Sequence, residues 1–305
     1  MELRHLRYFI AVAQEQNFSR AAERLHISQP PLSRQIQQLE EELGVQLFER
    51  GSRPLKLTEA GRFLYGHALQ FLAQGVELKS MTQRVGQLER SLSIGFVAST
   101  LYGILPRLIR RFRTQYPEVA MSLLEMTTME QIQALKEGKI DVGFGRIRYE
   151  DANVRRIILR DETLMAALAA DHPLANAPEL TLRQLQAETL IVYPQTPRPS
   201  FADQVLATFR DRALEPRRIM EVRELQVALG LVAAGEGITL VPQCLHSLKR
   251  QDVIYKALNE QYLVSPIIMS TRLLDESEDI KTLLQMIYHQ YEEEGISYIK
   301  PAAID

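Results

Sequence analysis

The sequence predicts an α/β protein in three parts: a small helical head at residues 1–58, one long connecting helix at 59–88, and a two-lobed body at 89–305. Three observations predict it. Short amphipathic helical segments separated by tight polar turns open the chain, a long proline-free helical run follows, and strand and helix patterns alternate through the rest. With 46% hydrophobic and 24% charged residues, the chain has the apolar content to build a real core and is not expected to be disordered. Its net charge of −2 excludes a generally basic protein, so any contact with nucleic acid has to come from a local motif.

Residues 3–13 read as a first helix, with Leu3, Leu6, Phe9, Ile10 and Ala13 at helical spacing. Asn17-Phe18-Ser19 breaks it, and Ser19 is expected to cap a second short helix running through Leu25. Small Ala21 and Ala22 lie where another helix must approach closely. After a turn at His26-Ile27, Ser28 is expected to cap a third helix from Gln29 to about Leu43, with Pro30 and Pro31 in the first turn, where proline costs little. Helix, tight turn and helix with a polar N-terminal end is the helix-turn-helix pattern of DNA-binding heads.

Leu32, Ile36, Leu39 and Leu43 form the buried stripe of the third helix, which leaves Ser28, Gln29, Pro30, Ser33, Arg34 and Gln37 as the candidate DNA-reading end. Gly51, Ser52 and Pro54 predict a hairpin turn, a wing on which Arg50, Arg53 and Lys56 would track phosphate. Residues 1–58 hold eight Lys or Arg against seven Glu, a balance of only +1, but the positive groups gather at Arg34 and the wing. A small helical bundle with a merely solvated polar face would show the same pattern.

In the connector, Leu64, Phe71, Leu78 and Val85 recur every seven residues, flanked by Ala68, Leu72 and Met81. Such a repeat is the seam of a two-helix contact, and a dimer is what a helix-turn-helix head needs to read two half-sites. A helix packed on its own domain is the alternative.

The body begins with strand patterns at 91–97, 119–125 and 140–144 and helices at 101–116 and 129–137, which predict a mostly parallel sheet covered by helices. This first lobe is expected at about 89–162 and 265–305, with the strand at 266–271 and the helix at 279–294 returning to it. A second lobe at about 163–264 has strands near 164–169, 190–193, 219–222 and 238–241, with helices at 201–212 and 224–234. Gly235-Glu236-Gly237 follows a helix and precedes a strand, the reverse of a dinucleotide-binding context, so it reads as a tight helix-to-strand turn.

Two lobes leave a cleft between them. Ser99 and Thr100 stand between a strand and the next helix, Thr127 and Thr128 hold the same place one unit later, and Ser200 and Phe201 open a third helix. Helix N-termini present free N–H groups and the positive end of the dipole, which suits a small dicarboxylate. Ser and Thr are equally common as caps with no ligand.

Met1-Glu2-Leu3-Arg4-His5 is charged and lacks the apolar run of a signal peptide, and no stretch approaches the roughly 18 apolar residues of a membrane helix, so a cytoplasmic protein with no membrane partner is expected. Cys244 stands alone, and His5, His26, His67, His172, His246 and His289 are scattered, so neither a disulfide nor a metal site is expected, and no cofactor. No nucleophile and base fall together in a convincing context, and no catalytic residue is assigned.

Phe18-Ser19-Arg20-Ala21-Ala22-Glu23-Arg24-Leu25, Ser28-Gln29-Pro30-Pro31-Leu32-Ser33-Arg34-Gln35-Ile36, Leu47-Phe48-Glu49-Arg50 and Leu57-Thr58-Glu59-Ala60-Gly61 together resemble the head of a LysR-type transcriptional regulator. The segment from Gly235 to Pro242 is similar to a recurring element of that family's effector domain, so the resemblance spans the chain. Glu49-Arg50-Gly51-Ser52-Arg53-Pro54, Ala134-Leu135-Lys136-Glu137-Gly138 and Gly143-Phe144-Gly145-Arg146 are most similar to the muconate- and benzoate-responsive subgroup, which serves aromatic catabolism. The resemblance implies a winged helix-turn-helix head and a periplasmic-binding-protein-like effector domain. It also implies a homotetramer built as a dimer of dimers, promoter DNA and RNA polymerase as partners, and activation when an aromatic-derived carboxylate binds.

The same resemblance favours Ser99 and Thr128 as effector contacts, with Phe201 stacking on the ligand and Gln226 nearby. It further implies a second, benzoate-like pocket at Arg146, Arg160, Glu162 and Tyr291. An internal Arg–Glu pair under a tyrosine lid is the other reading of that cluster. Asp203-Gln204 after Phe201-Ala202 departs from the subgroup, which leaves the chemistry of that loop open. A solute-binding protein for transport and an enzyme on the same two-lobed scaffold are the rival classes; the helix-turn-helix head speaks against the first, and the missing base or metal against the second.

Overall fold

The computed structural model describes residues 1–49, 51–52, 54–86 and 90–299. It divides into two compact units, Met1–Val85 and Gly86–Asp305.

In the first unit, α1 (Leu3–Glu15), α2 (Phe18–Arg24) and α3 (Gln29–Leu43) close around Leu6, Phe9, Val12, Ala21, Leu32, Ile36 and Leu39, all nearly inaccessible to water. Asn17, not Ser19, caps α2: its side-chain oxygen accepts from the backbone N–H of Ser19 and Arg20 at 2.8 and 3.1 Å. Both residue types make good caps, and the start of the helix at Phe18 decides between them. Ser28 does stand at the N-cap of α3, but its hydroxyl makes no capping bond. Leu43 is exposed rather than part of the buried stripe, because α3 ends there and Gly44 turns the chain away.

The wing is a hairpin held by Glu49 N–H to Lys56 O at 2.9 Å and Thr58 N–H to Leu47 O at 3.0 Å. Glu40 on α3 anchors its first strand by accepting from the N–H groups of Leu47 and Phe48. Thr58 starts α4 (Glu59–Gly86), accepting from Gly61 N–H. Gly61 cannot carry a side chain, since a Cβ there would stand 2.1 Å from the Leu47 carbonyl oxygen. Through Leu64, Ala68 and Leu72, the first turns of α4 pack on the head. On other faces or further along α4, Phe63, Phe71 and Leu78 are exposed. The seven-residue position Val85 and the flanking Met81 have side chains outside the described residues, and the expected helix end at Leu88 lies outside them too. Both readings of the connector therefore have residues that fit them.

The second unit runs β1 (Ser91–Phe96), a 3-10 turn (Ala98–Tyr102), α5 (Leu105–Gln115), β2 (Ala120–Glu125), α6 (Thr128–Lys136), β3 (Val142–Gly145) and the long β4 (Val154–Ala169). It continues with α7 (Leu182–Leu185), β5 (Thr189–Val192), α8 (Phe201–Arg210), β6 (Arg218–Glu221), α9 (Leu225–Ala233) and β7 (Thr239–Pro242). A second 3-10 turn (Gln243–Ser247), β8 (Val253–Ala257), β9 (Val264–Arg272) and α10 (Glu278–Glu293) complete it. At Gly235, φ is +77°, a left-handed turn between α9 and β7, in keeping with its reading as a loop rather than a phosphate cradle.

The sheet is mixed rather than mostly parallel. Strands β1, β2 and β3 pair parallel, as do β5 and β6, whereas β9 is antiparallel to both β3 and β4, and β4 is antiparallel to β7 and β8. The reason is the return path: β4 carries the chain out of one apolar core and β9 carries it back alongside. One core holds Ile94, Phe112, Val142, Met269, Leu283 and Ile287. The other holds Ala166, Leu190, Phe209, Leu229, Ile238 and Leu240. The first half of β4 was not expected as strand. Arg155, Arg156, Arg160, Asp161 and Glu162 interrupt its apolar pattern, yet its pairing with β9 runs from Val154 to Thr163.

Candidate functional site

Two surfaces carry the candidate residues, one in each unit. On the head, Ser28, Gln29, Pro30, Arg34 and Gln37 are all exposed, Ser33 is half-buried, and Lys56 is exposed on the wing. Their side chains are lightly used: Gln29 donates to Ser33 Oγ at 2.9 Å and Gln37 to Glu41 at 3.1 Å. Arg50 and Arg53, the other two wing positions, lie outside the described residues. Pro30 and Pro31 stand in the first turn of α3, so the N-terminal end of the helix presents side chains to solvent without disturbing its hydrogen bonding.

In the second unit a cleft of about 290 Å³ opens between the two cores. Ser99, Thr127, Thr128, Ser200, Phe201 and Gln226 line it, at the starts of the first 3-10 turn, α6, α8 and α9. Val97, Met126, Ile147, Tyr193 and Leu225 add apolar wall, and Glu125, Glu130, Arg223 and Glu224 sit among the lining residues.

Most of the hydroxyls are already committed. Thr127 accepts from Glu130 N–H at 3.3 Å and donates to the Glu130 carboxylate at 2.9 Å, a capping box. Thr128 Oγ1 accepts from Arg146 N–H at 3.3 Å, and Ser200 donates to Pro194 O at 2.9 Å. Asp203 accepts from the Ser200 N–H and from Arg198, while Gln204 ties Val264 and Ser265, so the departing loop residues brace α8. What the cleft offers an anion is a set of helix starts over an apolar floor, with the guanidinium groups of Arg146 and Arg223 among its lining residues.

Thr100 is not part of this cleft. Its hydroxyl donates to Val97 O at 2.7 Å and its side chain turns to a second cavity of about 20 Å³, lined by Leu105, Phe144, Leu159, Ile287 and Tyr291 among others. Of the four residues grouped as a second pocket, only Tyr291 lines that cavity; Arg146 lines the large cleft instead. Arg146 and Glu162, each about 97% buried, pair at 2.6 Å, and Arg160 donates to the other oxygen of Glu162 at 3.1 Å. Arg160 also stands 5.8 Å from the centre of the Tyr291 ring. Burial pushes the Tyr291 phenol up to about 12, against the pull of Arg160. One carboxylate thus sits between the arginine of the cleft wall and the arginine beside the smaller cavity. A cavity of about 150 Å³ accommodates benzene; the cleft is larger than that and the smaller cavity far smaller.

Sequence reading missed Met126, Ile147, Tyr193 and Arg223. Met126 and Tyr193 follow the C-terminal ends of β2 and β5, the edge of an α/β sheet where ligands collect, and that signal was available. Among the described residues no His, Cys, Asp and Glu cluster would hold a metal ion, and no helix is long and apolar enough to cross a membrane.

Residues 3–62 match the bacterial regulatory helix-turn-helix protein, lysR family, and residues 86–291 match the LysR substrate binding domain. The chain belongs to the LysR family of transcriptional regulators. As a LysR-type regulator it acts by binding promoter DNA and a small-molecule effector, and it is not an enzyme. It is 48% identical to the HTH-type transcriptional regulator BenM of Acinetobacter baylyi, over 97% of this chain and 98% of that one. It is 50% identical to the HTH-type transcriptional regulator CatR of Pseudomonas putida, over 96% of this chain and all of that one. Among solved structures it resembles the BenM effector binding domain with its effector benzoate, at 41% identity and a TM-score of 0.67, over 72% of this chain and 99% of that one. It also resembles full-length CbnR complexed with its target DNA, at 32% identity and a TM-score of 0.61, over 95% of this chain and 99% of that one.

Proposed function

We propose that this LysR-type regulator activates genes of aromatic-compound catabolism when a small aromatic-derived carboxylate, cis,cis-muconate first among them, occupies the cleft lined by Ser99, Thr128 and Phe201. The observation that carries the proposal is the cleft's composition: helix starts around an apolar floor, at a volume suited to a six-carbon diacid. The relatedness to BenM, whose effector is benzoate, and to CatR supports the class of ligand.

The head reads promoter DNA with the exposed end of α3, where Ser28, Gln29, Pro30, Ser33, Arg34 and Gln37 face the groove while Arg50, Arg53 and Lys56 follow phosphate. Exposed Phe71 and Leu78 on α4 support pairing of two copies along that helix, and a dimer of dimers in the full assembly. Effector binding favours one arrangement of the lobes, moves the paired heads on DNA and so changes access for RNA polymerase, in the cytoplasm. A tenfold preference needs about 1.4 kcal/mol of differential binding. Benzoate enters the second site, at Arg160 and Tyr291, only if Tyr291 or its neighbours move, given the space there now.

The test is a gel shift on the promoter of a neighbouring catabolic operon, with and without muconate, beside thermal melting with muconate and benzoate. Muconate is expected to raise the melting temperature and alter the shifted complex. No stabilisation by either acid at millimolar concentration overturns the proposal.

A further inference from the structure

Five contacts hold the second 3-10 turn, Gln243–Ser247: Cys244 makes three and Ser247 one to the lobe that carries Ser99, and Gln243 makes one to Thr163, where β4 crosses between the lobes. Its backbone N–H donates to Glu162 Oε1 at 3.0 Å, its thiol donates to the Ser99 carbonyl oxygen at 3.4 Å, and its sulfur accepts from Arg146 Nη2 at 3.4 Å. Thr163 donates to Gln243 Oε1 at 2.6 Å and Ser247 donates to Tyr102 O at 3.4 Å. Cys244 packs on the core of the lobe that contains Leu190 and Leu240, whereas Ser99 and Tyr102 follow β1 in the other.

We propose that Cys244 is a positioning residue for effector binding, holding the Ser99 loop, Arg146 and Glu162 in one arrangement across the two lobes. The proposal rests on the reading of the cleft as the effector site and adds how that site is tied to the lobe opposite. Two observations support it besides the contacts. Arg146 lines the cleft, and its Nη1 is buried with no partner, so its position depends on the few bonds that its other nitrogens make. Burial also pushes the Cys244 thiol up to about 12, so it keeps its proton and remains a donor to Ser99 at neutral pH.

Cys244 acts through Ser99 and Arg146 rather than by touching ligand: it does not line the cleft. Movement of the Ser99 loop on ligand binding therefore has to stretch or keep these bonds, and the turn beyond them belongs to the other lobe. That makes lobe arrangement and effector affinity one equilibrium.

Cys244→Val removes donor and acceptor and adds one branch methyl; Cys244→Ser keeps both. On the full chain, titration calorimetry with cis,cis-muconate is expected to show about tenfold weaker binding for Cys244→Val and recovery to within about threefold for Cys244→Ser. Melting of the ligand-free protein should move little in either. Wild-type affinity in the valine variant overturns the proposal, as does a serine variant as weak as valine, or a loss of ligand-free stability that accounts for the whole effect.

A second arm needs no effector. Cys244 is the one thiol in the sequence, so its labelling by a disulfide reagent reports the turn alone. Thr163→Val with Ser247→Ala, which removes the two outer bonds, is expected to speed labelling several-fold at unchanged melting temperature. An unchanged rate overturns the latch even if muconate binds. Should wild-type protein bind no muconate while the labelling behaves as expected, the effector reading fails and the inter-lobe latch stands.

Discussion

The two candidate surfaces of this protein use their polar side chains in opposite ways. On α3, Gln29, Arg34 and Gln37 stand in solvent with at most one short-range bond within their own helix. In the cleft, Ser99, Thr127, Thr128 and Ser200 are bonded to Arg146, Glu130, the Arg146 N–H and Pro194 before any ligand arrives. The first surface can be read from its side chains. In the second the side chains hold the surrounding loops and helix starts in place. Function and stability are separable in the head and entangled in the cleft, and substitutions at the two places should differ accordingly.

The largest effect is expected at Glu162. Glu162→Ala leaves Arg146 buried beside no carboxylate and should cost about 3 kcal/mol or more of stability, read by denaturant melting. A loss below about 1 kcal/mol would mean that the cleft is not held together in the way its bonding suggests.

Next, Arg34→Ala should weaken specific operator binding by about 2 kcal/mol, roughly thirtyfold, in a gel shift, with melting and muconate stabilisation untouched. Loss of stability along with DNA binding would erase the contrast between the surfaces. Ser99→Ala should lower muconate affinity by about 1.5 kcal/mol, a little over tenfold by calorimetry, and also soften the fold, since Arg146 Nε loses its acceptor. The smallest change belongs to Thr127→Ala, which removes the α6 cap and should cost about 1 kcal/mol in melting at unchanged muconate affinity. An affinity loss there would return Thr127 to the ligand and sharpen the division of labour among the cleft hydroxyls.

The head was largely legible because its rules are local. The apolar spacing of α1 and α3 and the prolines in the first turn of α3 each depend on neighbours a few residues away, as does the glycine turn before β7 in the second unit. Where two local rules competed, as with Asn17 and Ser19, the reading slipped by two residues. The first half of β4 escaped notice because Arg155, Arg156, Arg160, Asp161 and Glu162 hide its pattern; their partners come from elsewhere in the chain, as with Arg155 and Leu273 O or Glu162 and Cys244 N–H.

The sequence by itself determined most of the helices and strands, the exposed polar end of α3, and that helix starts would crowd one cleft. Tertiary structure alone decided that Arg146 faces the large cleft, that Thr100 turns to the smaller cavity, and that Cys244 reaches Ser99 across 145 residues of chain. The physical reason is distance along the backbone. Periodicity and capping act over three or four residues, whereas the side chains gathered around Glu162 meet only because β4 and β9 carry the chain out of one core and back into it.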